Sequence, residues 1–204
     1  MISSHISPPT YSASLVKASL KLEESRKIAD LLLMGVDEEQ WRKAIFVDNV
    51  LQKRSASTAY TFAIFIRQRL LCMTPEIWEL VRDGANVVAA QAVLAATIKQ
   101  SRLVGDFLDI IVRDRVRLFK SNLNHRDWDE YIDGCIARDP NVANWTPAVV
   151  NKLRQNVFRI LVEADYLTDA RSLTLQRVAV VPEIRRYLED HGERYVQRCM
   201  EVTS

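Results

Sequence analysis

The sequence predicts a mainly α protein, an N-terminal helical bundle followed by a winged-helix-like C-terminal part, and three observations carry that expectation. Glycine and proline are scarce, five and six in 204 residues, while Leu, Ala, Val, Arg and Glu abound, a composition that favours helices over a turn-rich β fold. Apolar residues recur at spacings of three and four through most of the chain, the period of a helix with one buried face. Near the end, two short runs rich in β-branched residues and leucine interrupt that period, and there a β-ribbon is expected.

Taken in order, the opening stretch with Ser3, Ser4, Ser7, Pro8, Pro9 and Thr10 has no periodicity and is expected to be a mobile arm, residues 1–13. Leu15, Ser19, Leu22, Arg26, Ala29 and Leu33 then mark a first amphipathic helix, with Gly35 as its stop. Asp37 and Gln40 resemble a capping box opening a second. Ser57 or Thr58 is the expected cap of a third helix reaching Cys72, and Thr74-Pro75 starts a fourth that ends at Gly84. Ala85 to Ile98 is apolar nearly all round, the mark of a helix enclosed by others, and Leu103 to Phe119 is amphipathic again. Residues 14–120 are thus expected to form a bundle of about six helices.

The polar stretch Ser121 to His125 is the expected domain boundary, and residues 121–204 the winged-helix-like unit. A short helix over Asp127–Ala137, a turn at Arg138-Asp139-Pro140-Asn141 and a longer helix opened by Thr146-Pro147 give helix, turn, helix. Ser172–Gln176 and Val178–Val181 are the expected ribbon strands, with a last helix from Pro182 towards Met200.

Composition narrows the function. A net charge of +2 means that any nucleic-acid surface must come from uneven placement of charge. The charge-free run Ala85 to Ile98 has fourteen residues, against the roughly 20 needed to cross a bilayer, so no membrane role is expected. Cys72, Cys135 and Cys199 are far apart and without His or Cys at metal-ligand spacing, which points to free thiols in a reducing, cytoplasmic setting.

Chemistry is absent from the motifs. There is no phosphate loop, dinucleotide fingerprint, nucleophile elbow or metalloprotease helix, and His5, His125 and His191 stand alone. Asp106 with Asp109 and Asp127 with Glu130 share helical faces, as surface carboxylates often do, without the lysine that a nuclease would add. No enzyme, cofactor or metal is expected.

What remains is basic clustering. Arg113, Arg115, Arg117, Lys120 and Arg126 face the single acid Asp114, and Arg42, Lys43, Lys53, Arg54, Arg67 and Arg69 face only Asp48. On the helix from Pro147, Val149, Val150, Leu153, Val157, Ile160 and Leu161 make an apolar side, while Asn151, Lys152, Gln155 and Arg159 follow on another. Amides can bond base edges and cations can meet phosphates, so this helix is the expected recognition element. Arg171 and Arg177 on the wing, with Lys53, Arg54, Arg113, Arg117, Lys120 and Arg126, are expected to carry phosphate contacts with double-stranded DNA. The same unit reused as a protein-docking adaptor is the alternative.

Three stretches carry a family resemblance: Asp48-Asn49-Val50-Leu51-Gln52-Lys53-Arg54-Ser55 with Thr58-Ala59, Trp145-Thr146-Pro147, and Arg159-Ile160-Leu161-Val162-Glu163-Ala164-Asp165-Tyr166-Leu167. In these, and in spacing from about Tyr11 to His191, the chain resembles the BrxA proteins of bacteriophage-exclusion (BREX) defence islands. The resemblance implies a mainly helical, non-enzymatic protein with a winged-helix-like part, binding duplex DNA beside the other BREX proteins. It implies no particular site residue, and a homo-oligomer is left open.

Overall fold

A computed structural model describes residues 10–202 of the chain. Residues 1–9 of the expected arm lie outside the described residues. Tyr11, placed by the sequence in that arm, is buried: its amide donates to Asp139 Oδ2 at 2.9 Å and its hydroxyl to Asp106 Oδ2 at 2.7 Å.

The expected first helix is two pieces. A 3-10 turn over Ala13–Val16 precedes α1, Leu22–Leu33, and Lys21 between them is left-handed (φ 55°). The break comes from partners distant in sequence. Arg69 donates to the Ser19 and Leu20 carbonyls and Glu163 accepts from the Leu20 amide, so these backbone groups are unavailable to a helix, and Glu163 also holds the Ser19 hydroxyl. Gly35 does end α1, at φ 62°.

The Asp37–Gln40 capping box forms as expected and opens α2, Glu38–Arg42, which runs into a π-helical turn Lys43–Val47. Helix α3 is Ala56–Leu70, capped by Ser55, whose hydroxyl accepts from Thr58 N, rather than by Ser57 or Thr58. Helix α4 is Pro75–Asp83 and α5 is Asn86–Gln100. Helix α5 packs against α1, α3 and α4, which explains why it is apolar on all sides. The predicted helix up to Phe119 is α6, Arg102–Asp106, a π-helical stretch Phe107–Val112 and α7, Arg113–Arg117.

Beyond it, α8 is His125–Arg138, opened by an Asn124–Asp127 capping box two residues before the expected start. A 3-10 turn Pro140–Asn144 leads to α9, Pro147–Glu163, capped by Thr146 with Pro147 first, as the sequence indicated. Helices α10, Pro182–Asp190, and α11, Arg194–Met200, return to pack on α5. One hydrophobic core runs from Tyr11 to Val202 and draws residues from each of these parts except α7, whose Val116 packs against it.

The mainly helical class is thus correct, and the β-ribbon of the winged-helix expectation is not. Among the described residues the only β pairing is two isolated antiparallel bridges, Asn122 with Thr174 and Leu167 with Leu175. The two segments expected to pair with each other go to different partners. Thr174 and Leu175 lie between residues 121–123 and 166–168, whereas the backbone of residues 179–181 is taken by one buried side chain on α5. Gln91 Nε2 donates to Ala179 O at 3.0 Å, and Gln91 Oε1 accepts from Val181 N at 2.9 Å. A side-chain amide supplies both halves of a strand-like hydrogen-bond pair, so no second strand is needed there.

Candidate nucleic-acid interface

Helix α9 divides by exposure as its pattern predicts. Leu153, Val157, Phe158, Ile160 and Leu161 are buried, while Asn151, Lys152, Gln155 and Arg159 are all exposed. Its inner side is held by Phe158 against Phe107 and Trp128, and by Asn156, whose buried amide donates to Leu15 O at 2.6 Å. A helix anchored on one side and open on the other offers its polar groups on a fixed backbone.

Two clefts border that face. One, of about 350 Å³, is lined by His125, Arg154, Gln155, Phe158, Arg159 and Ala170. There His125 stacks on Phe158 with ring centroids 5.9 Å apart. The other, of about 560 Å³, lies near the start of α9, where Trp128, Trp145 and Pro147 meet Asn151, Arg154 and Asp129. Arg154 Nη2 donates to Asn151 Oδ1 at 2.7 Å, which orients the Asn151 amide group. The Asp129 carboxylate makes this cleft the poorer place for a phosphate, and the Arg159 end, with no acid in its lining, the better one.

The other basic candidates fall into two groups. Arg54, Arg117, Lys120, Arg171 and Arg177, like Lys152 and Arg159 on α9, are exposed and in no ion pair among the described residues. Lys120 and Arg177 meet in one groove with Phe119 and Gln176. Arg171 sits on a tight loop whose Asp169 carboxylate accepts from the Arg171 and Ser172 amides and the Ser172 hydroxyl, and is held down at about 2 by those bonds.

Lys53 and Arg113 are committed inside the molecule. Lys53 Nζ lies 2.5 Å from Glu24 Oε1 and over the Phe62 ring, with both charged side chains mostly covered. Glu24 is held below the usual carboxylate range by the Lys53 ammonium, against the upward push of burial. Arg113 bonds Asp109 and the carbonyls of Glu201 and Arg198, tying the π-helical stretch to α11. Arg115 pairs with the buried Asp127 at 2.6 Å. Arg126 has only Glu130, one turn away at 3.0 Å and itself exposed.

The carboxylates that share helical faces also have structural partners. Asp106 accepts from both Tyr11 and Tyr195 hydroxyls, and Asp109 pairs with Arg113 and Arg198. Among the described residues no cluster of His, Cys, Asp or Glu could hold a metal ion, and no helix is long and apolar enough to cross a membrane. Cys135 and Cys199 are buried free thiols, and Cys72 is partly exposed.

Two cleft residues escaped the sequence reading. Arg154 falls between the apolar and polar sides of α9, and only the i, i+3 step from Asn151 hinted at its role. His125 reads as linker until the Asn124 cap makes it the first residue of α8.

The chain matches the family model described as BrxA over residues 9–192. It is 49% identical over 195 residues to "BREX protein BrxA" of Paramagnetospirillum magneticum (strain ATCC 700264 / AMB-1), covering 96% of this chain and 98% of the relative. A second "BREX protein BrxA", from Escherichia coli O9:H4 (strain HS), is 33% identical over 180 residues, 88% of this chain and 84% of the relative. Among solved structures, the crystal structure of an uncharacterized protein from Magnetospirillum magneticum superposes with a TM-score of 0.87 at 48% identity, covering 95% of this chain and 100% of that one.

Proposed function

The chain belongs to the BrxA family, and from that premise we propose that it is a non-enzymatic accessory protein of a BREX phage-defence system that binds double-stranded DNA in the cytoplasm beside other BREX proteins. The observation that supports this reading best is the outward face of α9, where two amides and two cations stand exposed on a helix whose other side is locked in the core. In the proposed complex α9 enters the major groove, Asn151 and Gln155 meet base edges or phosphates, and Lys152 and Arg159 meet phosphates.

Most of the affinity is electrostatic and comes from the exposed, unpaired cations Arg54, Arg117, Lys120, Arg171 and Arg177. Arg126 joins them, because an exposed i, i+4 pair is worth only about 0.3–0.5 kcal/mol and yields readily to a phosphate. Lys53 and Arg113 do not, since releasing them uncovers a shielded carboxylate or empties two carbonyls.

The test is a mobility shift with labelled duplex at rising salt. With about eight phosphate contacts, affinity falls on the order of ten-thousandfold between about 50 and 200 mM salt. Lys152→Glu combined with Arg159→Glu weakens binding at least roughly tenfold. A wild-type protein that shifts no duplex at micromolar concentration and low salt removes the proposal.

A second reading, an adaptor that docks on another defence protein, draws on a different surface. Phe46 and Tyr60 stack at 5.4 Å on the outside of the bundle, next to Val47, which is 75% exposed. Retention of BREX partners after nuclease treatment, lost on Tyr60→Glu, favours that reading over DNA.

A further inference from the structure

Among the described residues, four helices end in the same way. In each, the amide of the residue after the cap bonds the carbonyl three residues back, the next amide bonds the carbonyl five back, and the residue after the cap is left-handed. In α1 and α10 that residue is glycine, Gly35 (φ 62°) and Gly192 (φ 65°), and in α9 it is Asp165 (φ 63°), a residue type that tolerates the region. In α7 it is Phe119 (φ 54°), with its amide on Val116 O at 3.1 Å and the Lys120 amide on Arg115 O at 2.9 Å.

A bulky residue is an outlier there, and burial of the side chain does not offset the cost. Phe119 is 86% exposed, the most exposed large apolar residue among those described, and Leu118 before it is 55% exposed. The apolar contact that often closes such a motif is missing too, because the two residues that would make it are Arg115 and Lys120. Phe119 is instead framed by cations: Lys120 and Arg177 share its groove of about 140 Å³, and Arg117 is two residues away, all three exposed and unpaired.

This groove is joined to the α9 face by one segment of chain. Ala170 lines the cleft with Arg159, Arg177 lines the groove with Phe119, and residues 173–175 between them are clamped to residues 121–123. The seven steps from Ala170 to Arg177 span at most about 25 Å, so cleft and groove are neighbours on the surface, and in the proposed complex a helix in the major groove is accompanied by Phe119 at the adjacent minor groove. Apolar side chains flanked by cations open base steps there and kink the duplex.

Resting on the reading of the chain as a duplex-DNA binder, we propose that Phe119, with Leu118, is a wedge that enters a base step while Arg117, Lys120 and Arg177 hold the flanking phosphates. The left-handed backbone serves to hold the ring out of the protein.

The test compares wild type with Phe119→Gly, which deletes the ring and relieves the backbone, and with Phe119→Leu, which keeps an apolar wedge. Binding and bending are read on a duplex carrying end-to-end fluorophores and 2-aminopurine. The expected Phe119→Gly protein melts at or above the wild-type temperature, binds roughly tenfold more weakly, keeps the wild-type salt slope because no charge is lost, and no longer bends or unstacks the duplex. Phe119→Leu retains the distortion.

Equal binding and equal distortion by wild type and Phe119→Gly overturn the wedge and leave DNA binding standing. A lower melting temperature that accounts for the lost binding makes Phe119 structural and overturns it too. Absence of any duplex binding by wild type removes the underlying reading, and the wedge with it. Phosphatidylserine vesicles form the last arm: vesicle binding lost in Phe119→Gly, with DNA binding unchanged, reassigns the ring to a lipid surface.

Discussion

Helix α5 buries every residue from Val88 to Ile98, and its single cation, Lys99, is paired with Glu193. Helix α9, with 17 residues to α5's 15, buries one side only and leaves Asn151, Lys152, Gln155 and Arg159 outside. Both are long helices in one core, but they use their side chains differently. Even the buried amide of α5, Gln91, is committed to the backbone of residues 179–181. A change on α5 is therefore a change in stability, and a change on the outer face of α9 is a change in what the surface can hold.

The largest effect that tests this contrast is Leu94→Ala at the fully buried centre of α5, expected to cost about 2–5 kcal/mol in a denaturant titration. A cost under about 1 kcal/mol would break the contrast. Next is Gln91→Leu, which leaves the Val181 amide and the Ala179 carbonyl without their partner and is expected to cost roughly 1–3 kcal/mol. Faster hydrogen exchange at Val181 is its local signature.

On α9, Lys152→Glu and Arg159→Glu are each expected to move stability by no more than about 0.5 kcal/mol while weakening duplex binding, and loss of fold in either would show that the face is not free. Smallest is the pH response of Asp169 beside that face. Its carboxyl is held at about 2, below the ordinary 3.8, chiefly by the Ser172 hydroxyl. Because the folded value is the lower one, its stabilising contribution is complete above the ordinary value and disappears as pH falls through about 2. An NMR titration of the Asp169 carboxyl that centres near 3.8 instead would mean that the Arg171 loop is not held.

The sequence was most legible where signals are local. The Asp37–Gln40 box, the Thr146-Pro147 start, the Gly35 stop and the two-sided pattern of α9 each depend on residues a few positions apart, and each is present. It misled where a partner lay far along the chain. Ser19 and Leu20 are pulled out of a helix by Arg69 and Glu163, and Lys53 is neutralised by Glu24. The last expected strand found Gln91 in place of a neighbouring strand, and the αL position of Phe119 is invisible to a pattern that reads an apolar residue as helix interior.

That this protein is mainly helical, that α5 is enclosed and that α9 has a polar side can be read from the chain alone, because helix period and capping are written within a turn or two of it. Its spacing also carried the likeness to the BrxA family. Which cations remain open, that two single bridges stand where a ribbon was expected, and that a phenylalanine stands out into water at the end of α7 follow from the folded arrangement. Ion pairing, bridge pairing and exposure also depend on groups as far as 144 positions apart, and a single sequence does not state which of those come to lie side by side.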